Sequence, residues 1–135
     1  MRARIAALMV AVAGITAATA LPASAASMGG ENSAAACAAV ANHPCVWQEK
    51  NGGGFVGVAQ VTADPAQLTL VQVEVRTQKA WGSPWVTVAS ATTITNGFAK
   101  AVTPQVVTRD LRMVCATGGP ALVAAQQVTT CTGPF

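Results

Sequence analysis

Few residues in this chain of 135 are of a type that performs acid-base or nucleophilic chemistry. His43 is the only histidine, so any Ser-His-Asp or Cys-His catalysis would have to use it. It lies in the segment ANHPC, and the chain contains no G-x-S-x-G motif to supply a nucleophile. We therefore interpret His43 as an exposed loop residue.

Paired carboxylates are the other simple route to catalysis, as in glycoside hydrolysis. Asp64 precedes a proline at a predicted turn, and Glu74 alternates with valines on a predicted strand. No spacing pairs the remaining acids with one another. The acidic residues are Glu31, Glu49, Asp64, Glu74 and Asp110. We predict that the protein is not an enzyme and uses no cofactor.

The four cysteines form an even set, which in a small exported chain indicates two disulfides. Of the three possible connectivities, the spacing favours the sequential one, Cys37 with Cys45 and Cys115 with Cys131. A bond between Cys115 and Cys131 requires either a wide loop between them or a link between two sheets. These spacings match no zinc knuckle, and a lone histidine cannot complete a Cys₂His₂ set, so no metal site is predicted.

Residues 1–25 have the layout of an export signal. Arg2 and Arg4 precede an apolar run from Ile5 to Ile15, and Ala23-Ser24-Ala25 has the A-x-A pattern of a cleavage site. The apolar run is shorter than the roughly 20 residues that cross a bilayer. We predict a secreted, extracellular protein with no membrane attachment after cleavage, a loosely ordered Ala-rich segment over 26–44, and a β-sandwich domain over 45–135.

The positive charge of the chain lies partly in this leader. Its removal leaves six basic residues against five acidic ones, a net charge of +1 in place of +3. The remaining basic residues are scattered and form no dense positive stripe of the kind that neutralises a row of phosphates. Nucleic acid is therefore not an expected partner.

The clearest structural signal is the alternation in LTLVQVEVRTQK, residues 68–79, which is typical of a half-buried strand. A helix would scatter its valines around the axis. Further β-branched runs cover 55–62 and 86–95. The alternation predicts an inner face of Val71, Val73, Val75 and Thr77, and an outer face of Gln72, Glu74, Arg76 and Gln78.

Glycine-containing turns divide the chain into short strands. Asn51–Gly54 predicts a hairpin into residues 55–62, and Asn96-Gly97 predicts a hairpin into residues 98–102. Gly118-Gly119-Pro120 predicts a loop before a final strand within 121–131. We expect another strand within residues 105–115, before this loop. Its inner face is predicted to be Val107, Leu111, Met113 and Cys115, and its outer face Asp110 and Arg112.

Six to eight short strands at spacings near ten residues, without a crossover helix, predict an all-β, antiparallel, immunoglobulin-like β-sandwich. With its leader, the run LTLVQVEVRTQKAWGSPWVTVASATT and the Cys115–Cys131 segment, the chain resembles the small secreted immunoglobulin-like β-sandwich proteins of actinobacteria. Tendamistat-type amylase inhibitors and neocarzinostatin-type carriers share this size and export route. The inhibitors' Trp-Arg-Tyr motif is absent, because the chain contains no tyrosine, and the carriers' cysteine positions do not match.

The WGSPW turn, residues 81–85, is the strongest candidate for recognition, because exposed tryptophans are enriched among binding hot spots. Trp85 begins a strand and is expected in the core. Trp81 at the turn, with the nearby Lys79 and Arg76, is the candidate binding site.

These observations predict a secreted binding module without catalytic activity, monomeric, whose partner is an extracellular protein or a glycan. Two alternatives stay open. Low charge and many Thr and Val residues fit a structural or surface-associated protein whose strand edges pair between molecules. An inhibitor of an extracellular hydrolase is a special case of binding.

Overall fold

The computed structural model describes residues 36–37 and 42–135. The predicted leader lies outside the described residues, as does most of the Ala-rich segment 26–44. Ala36–Cys37 forms a strand, so the sheet includes part of the segment that was expected to be loose. No helix in the described ranges is long and apolar enough to cross a membrane.

The described residues are all-β, as predicted, with eight strands and a single 3₁₀ turn at Ala124–Gln126. The strands are β1 Ala36–Cys37, β2 Cys45–Asn51, β3 Gly54–Val61, β4 Leu68–Gln78, β5 Val86–Asn96, β6 Ala99–Val102, β7 Leu111–Pro120 and β8 Val128–Cys131.

The strands form two antiparallel four-stranded sheets. One has the order β1-β2-β3-β6 and the other has the order β5-β4-β7-β8. The chain changes sheet after β3, after β5 and after β6. The hairpin predicted at Asn51–Gly54 is confirmed, because Asn51 pairs with Gly54 across the turn between β2 and β3.

One cluster of buried hydrophobic side chains draws on both sheets. Val46, Phe55 and Val61 come from the first sheet, and Val73 and Val114 come from the second. The predicted inner face of β4 is confirmed, because its valines are fully buried and Thr77 is only 8% exposed. Gln78 departs from the predicted outer face.

Gln78 is buried because its side chain ties the strand to the turn that follows. Its Nε2 donates a hydrogen bond of 2.6 Å to the carbonyl oxygen of Ser83. The amide is thus satisfied within the protein, which offsets its loss of water contacts.

The predicted Asn96-Gly97 hairpin is wrong. β5 pairs with β4, whereas β6 pairs with β3 in the other sheet. Gly97 has a φ of +73° and donates its N–H to the carbonyl of Gln67 at 2.9 Å. The glycine supplies the positive φ that the dipeptide signals, but here that conformation carries the chain from one sheet to the other.

The faces predicted for β7 are also wrong. Val114 and Ala116 enter the shared core, whereas Val107 is 74% exposed. Apolar residues lie on both faces of RMVCAT, so the sequence does not distinguish one register from the next, and a one-residue shift exchanges the two faces. Gly118-Gly119-Pro120 is not a loop but the end of β7.

Both disulfides have the sequential connectivity favoured by the spacing. Cys37–Cys45 joins directly opposed residues of β1 and β2, and Cys115–Cys131 joins directly opposed residues of β7 and β8. A wide connection over residues 121–127, which contains the 3₁₀ turn, allows the second bond. Each bond therefore lies within one sheet.

The buried tryptophan is Trp47, not Trp85, and it belongs to a cluster separate from the one that both sheets share. Trp47 is 6% exposed and packs with Val56 and Val58, whereas Trp85 is half-buried and outside the core clusters. The indole N–H of Trp47 donates to Glu49 Oε1 at 2.7 Å, and Lys100 Nζ lies 6.0 Å from its ring centroid. A polar partner for the indole N–H makes this burial favourable.

Candidate functional site

An apolar cleft of about 550 Å³ lies where β4 ends and β5 begins. We call it the valine cleft, because four valines line it: Val86, Val88, Val106 and Val107. Its other lining residues are Thr77, Lys79, Ser83, Pro84, Thr108 and Asp110.

One wall of the valine cleft depends on an irregularity between β4 and β5. Val75 pairs with Ala89 but Arg76 pairs with Thr87, so Val88 is an extra residue in β5. Beyond this β-bulge, Val86 pairs with Thr77 and shares the inner face of the sheet. Val86 is nevertheless 56% exposed, because the core cluster ends before it.

The opposite wall is the segment that follows β6, which two pairs of hydrogen bonds hold against β3. Thr103 donates its N–H to the carbonyl of Gly57, and its Oγ1 accepts the N–H of Gly57, each at 2.9 Å. Phe55 and Val106 exchange backbone hydrogen bonds of 2.8 and 3.0 Å. Val106 is thereby fixed with its side chain buried, and the adjacent Val107 lies exposed in the cleft.

The WGSPW turn forms the end of the cleft and is internally braced. Ser83 Oγ donates to the carbonyl of Ala80 at 2.6 Å and accepts the N–H of Ala80 at 3.1 Å. Gly82 has a φ of +86°, which favours glycine. The turn therefore places Pro84 in the cleft wall with little conformational freedom.

Two charged side chains line the predominantly apolar cleft. Lys79 is exposed and Asp110 is half-buried. Neither forms an ion pair with another described residue. An apolar surface with a few polar groups at fixed places is the usual composition of a ligand site.

The three predicted binding residues do not form one group. Lys79 lines the valine cleft, and Trp81 projects from the adjacent turn with 88% of its surface exposed. Arg76 lies on the outer face of β4, where its guanidinium donates to Glu74 Oε2 at 2.7 and 3.0 Å. The structure thus places Lys79 and the turn bearing Trp81 near the cleft and Arg76 on the opposite face of the sheet.

Three of the acids considered for catalysis each have a separate hydrogen-bond partner. Glu49 accepts from Trp47, Glu74 accepts from Arg76 and Gln72, and Asp64 accepts the N–H of Ala66 at 2.8 Å. Glu31 lies outside the described residues.

His43 is half-buried rather than exposed. It lines a separate depression of about 370 Å³ with Pro120 and Val128. Within residues 36–37 and 42–135, no three His, Cys, Asp or Glu side chains are grouped to hold a metal ion.

A third depression, of about 270 Å³, surrounds Arg112. The sequence pattern predicts that Arg112 faces outward, and this is wrong, because Arg112 shares the face of Val114 and reaches the other sheet. Its Nε donates to Gln48 Oε1 at 2.9 Å, and its guanidinium lies 4.7 Å from the ring centroid of Phe55.

The sequence alone does not predict the valine cleft. Its pattern places Val86 and Val88 in an ordinary strand and Val107 in a core. The β-bulge at Val88 cannot be predicted from the residue types, because Val86-Thr87-Val88 fits a regular strand equally well. The one available signal was Pro104, which interrupts the strand pattern before the segment that forms the second wall.

No protein-family model, curated protein or solved structure matches this chain.

Proposed function

We propose that the protein is a secreted, non-enzymatic binding module that holds an apolar part of an extracellular protein or glycan in the valine cleft. The observation that carries this proposal is the cleft itself. Its volume of about 550 Å³ lies within the roughly 300 to 1,000 Å³ typical of ligand sites. Both walls are fixed by backbone hydrogen bonds, so little ordering is needed on binding.

The proposed architecture is an immunoglobulin-like β-sandwich, with the cleft at one end of the two sheets. Support comes from the buried cluster that both sheets share and from the close approach of Gly57 to Val75 and Val114. Binding sites on such sandwiches are commonly formed by loops at one end. The valine cleft is similar in part, because the WGSPW turn and the segment after β6 line it together with residues of β4 and β5.

Secretion is proposed from the pattern of residues 1–25 together with the disulfides. Disulfides persist in oxidising compartments, and both pairs are closed here. A binding role without catalysis is favoured by the lining of the cleft, where, among the described residues, Asp110 has no histidine or second carboxylate beside it.

A second candidate function is inhibition of an extracellular hydrolase. The observation that favours it is the braced turn that exposes Trp81, since tryptophan is enriched among the anchor residues of tight interfaces. Incubation with a panel of secreted proteases and amylases tests this function. If the wild type inhibits one of these enzymes and Trp81→Ala does not, the functional site is the turn and not the cleft.

The valine cleft is tested with the neutral apolar fluorophore N-phenyl-1-naphthylamine. We expect saturable binding at one site, weakened about tenfold or more in Val107→Asp, because a carboxylate in an apolar site raises the cost of burying the probe. The matched control is Leu122→Asp. Leu122 is 84% exposed and Val107 is 74% exposed, both lie outside the strands, and only Val107 lines the cleft.

Leu122→Asp is expected to bind the probe as the wild type does. Equal affinity of Val107→Asp and the wild type, or the absence of saturable binding to the wild type, would refute the cleft as the binding site. Thermal unfolding of both variants confirms that they are folded.

A further inference from the structure

The edge of β5 is the longest free strand edge in the described residues. β5 runs over eleven residues and pairs with β4 alone. At the opposite end of the same sheet, β8 has four residues, and in the other sheet the outer strands β1 and β6 have two and four.

The hydrogen-bonding direction of β5 follows from two hydrogen bonds at the start of β4. The carbonyl of Gln67 accepts from Gly97, and the carbonyl of Leu68 accepts from Ala121 on the β7 side. Because these directions alternate along a strand, Thr69, Val71 and Val73 bond towards β5. Their partners in β5 are Thr95, Thr93 and Ala91.

The intervening residues of β5 therefore direct their N–H and C=O groups away from β4. These residues are Ser90, Thr92 and Ile94, and all three side chains are exposed. Within the described part of the chain, no backbone or side-chain hydrogen bond to these groups is present.

This edge lacks the features that usually prevent pairing between molecules. Natural edge strands carry Lys, Pro or inward-pointing charges, or they are short. The sequence of β5, VTVASATTITN, contains no charged residue and no proline. Its bulge at Val88 lies near one end and leaves Ala89–Asn96 regular.

We infer that β5 pairs antiparallel with β5 of a second copy of this chain, about a two-fold axis at Thr92. Thr92 then faces Thr92 of the other copy, and Ser90 faces Ile94 in both directions. The pairing joins two four-stranded sheets into one continuous sheet.

A second copy fits this edge because the strand is complementary to itself. No charge meets a like charge across the axis, and a Thr–Thr pair is among the favourable cross-strand pairs. On the neighbouring strand, the carboxylate of Glu74 is neutralised by Arg76. The sequence alone predicts a monomer. The dimer is favoured by the free backbone groups of β5, whose position at a sheet edge depends on the strand order.

Sedimentation equilibrium over micromolar to millimolar protein tests the pairing. We expect the wild type to change from monomer to dimer within this range. Thr92→Lys places two like charges opposite each other at the axis and should remain monomeric throughout. Thr92→Pro removes an N–H directed at the second copy and not at β4, so it should also abolish the dimer while the fold is retained.

The matched control is Gln72→Lys. Gln72 faces Thr92 from β4 on the same exposed side of the sheet, one strand away from the edge. The substitution introduces the same charge away from the two-fold axis. The Gln72→Lys variant should therefore dimerise as the wild type does.

Amide hydrogen exchange identifies the surface directly. Protection of the Ser90, Thr92 and Ile94 amides should rise with protein concentration, whereas that of the exposed β8 residue Thr129 should not. A wild type that stays monomeric at millimolar concentration, an unchanged dimer in Thr92→Lys, or an open ladder of larger oligomers would each overturn the inference.

Discussion

Arg112 on β7 lies with its guanidinium 4.7 Å from the ring centroid of Phe55 on β3, so that a charged side chain of one sheet covers an aromatic side chain of the other. The same guanidinium donates through Nε to Gln48 Oε1 at 2.9 Å. A planar cation can stack on a ring and donate in its own plane at once. Arg112 is therefore a polar connection between the two sheets.

Replacement of this residue tests that connection. Arg112→Leu keeps an apolar stem but removes the cation and the donor to Gln48. We expect the free energy of unfolding to fall by about 1 to 2 kcal/mol, the sum of a modest cation–π contact and one charged hydrogen bond at a partly exposed site. Urea unfolding followed by circular dichroism measures this change.

Arg109→Leu is the matched control. Arg109 is exposed and has no hydrogen bond or ion pair within the described residues, so its replacement should change stability by no more than about 0.5 kcal/mol. Equal losses in the two variants would mean that the contacts of Arg112 contribute nothing beyond a surface charge.

The contrast between β4 and β7 explains how much of this fold the sequence predicts. In β4, valines alternate with polar residues, so one register alone buries the apolar side chains, and the predicted face is correct. In β7, Met113, Val114 and Cys115 are consecutive and apolar, so both registers bury apolar area. Which register forms depends on the contact of Val114 with Gly57 of the other sheet, a residue far away in the sequence.

The site was harder to predict than the fold for a similar reason. The turn that bears Trp81 is encoded locally by its glycine and proline, and the structure contains it. The valine cleft requires the bulge at Val88 to lie beside Val107, which is far along the chain. Local residue types carry no information about that proximity.

Gly57 lies where the two sheets approach each other closely and provides the second prediction. A Cβ atom there would lie 2.7 Å from Cγ1 of Val114 and 3.1 Å from Cγ2 of Val75. The backbone of Gly57 is held by Thr103 on both its N–H and its C=O. Gly57→Ala should therefore destabilise the protein by about 1 to 3 kcal/mol through overpacking, measured by urea unfolding.

Gly53→Ala provides the comparison for this overpacking. A Cβ atom at Gly53 has no neighbour within 4 Å, and φ is not positive there. The substitution should be neutral or slightly stabilising, because alanine reduces the entropy of the unfolded chain. If Gly57→Ala were as stable as Gly53→Ala, the sheets could separate locally at no cost, and the close approach would not limit the core.

The two disulfides should contribute unequally to stability, which is the third prediction. Their cysteines are 8 and 16 residues apart. In the chain-entropy model these loops correspond to about 2.5 and about 3 kcal/mol of stabilisation. Cys115 is in addition only 2% exposed and belongs to β7 beside the core, whereas β1 contributes two residues to a sheet edge. Removal of Cys115–Cys131 should therefore be the more damaging change.

The paired variants Cys37→Ala/Cys45→Ala and Cys115→Ala/Cys131→Ala test this order without leaving an unpaired thiol. We expect a loss of about 2 to 3 kcal/mol in the first and about 3 to 4 kcal/mol in the second, by urea unfolding under non-reducing conditions. In hydrogen exchange, loss of the first disulfide should raise exchange only in β1 and in the β2 amides on the β1 side. Exchange should not spread further, because β2 keeps its pairing with β3. Loss of the second disulfide should raise exchange in β8 and β7 together, since only four residue pairs then hold β8 against β7. The reverse order of losses would mean that the N-terminal strand, despite its length, contributes more to the fold than its pairing indicates.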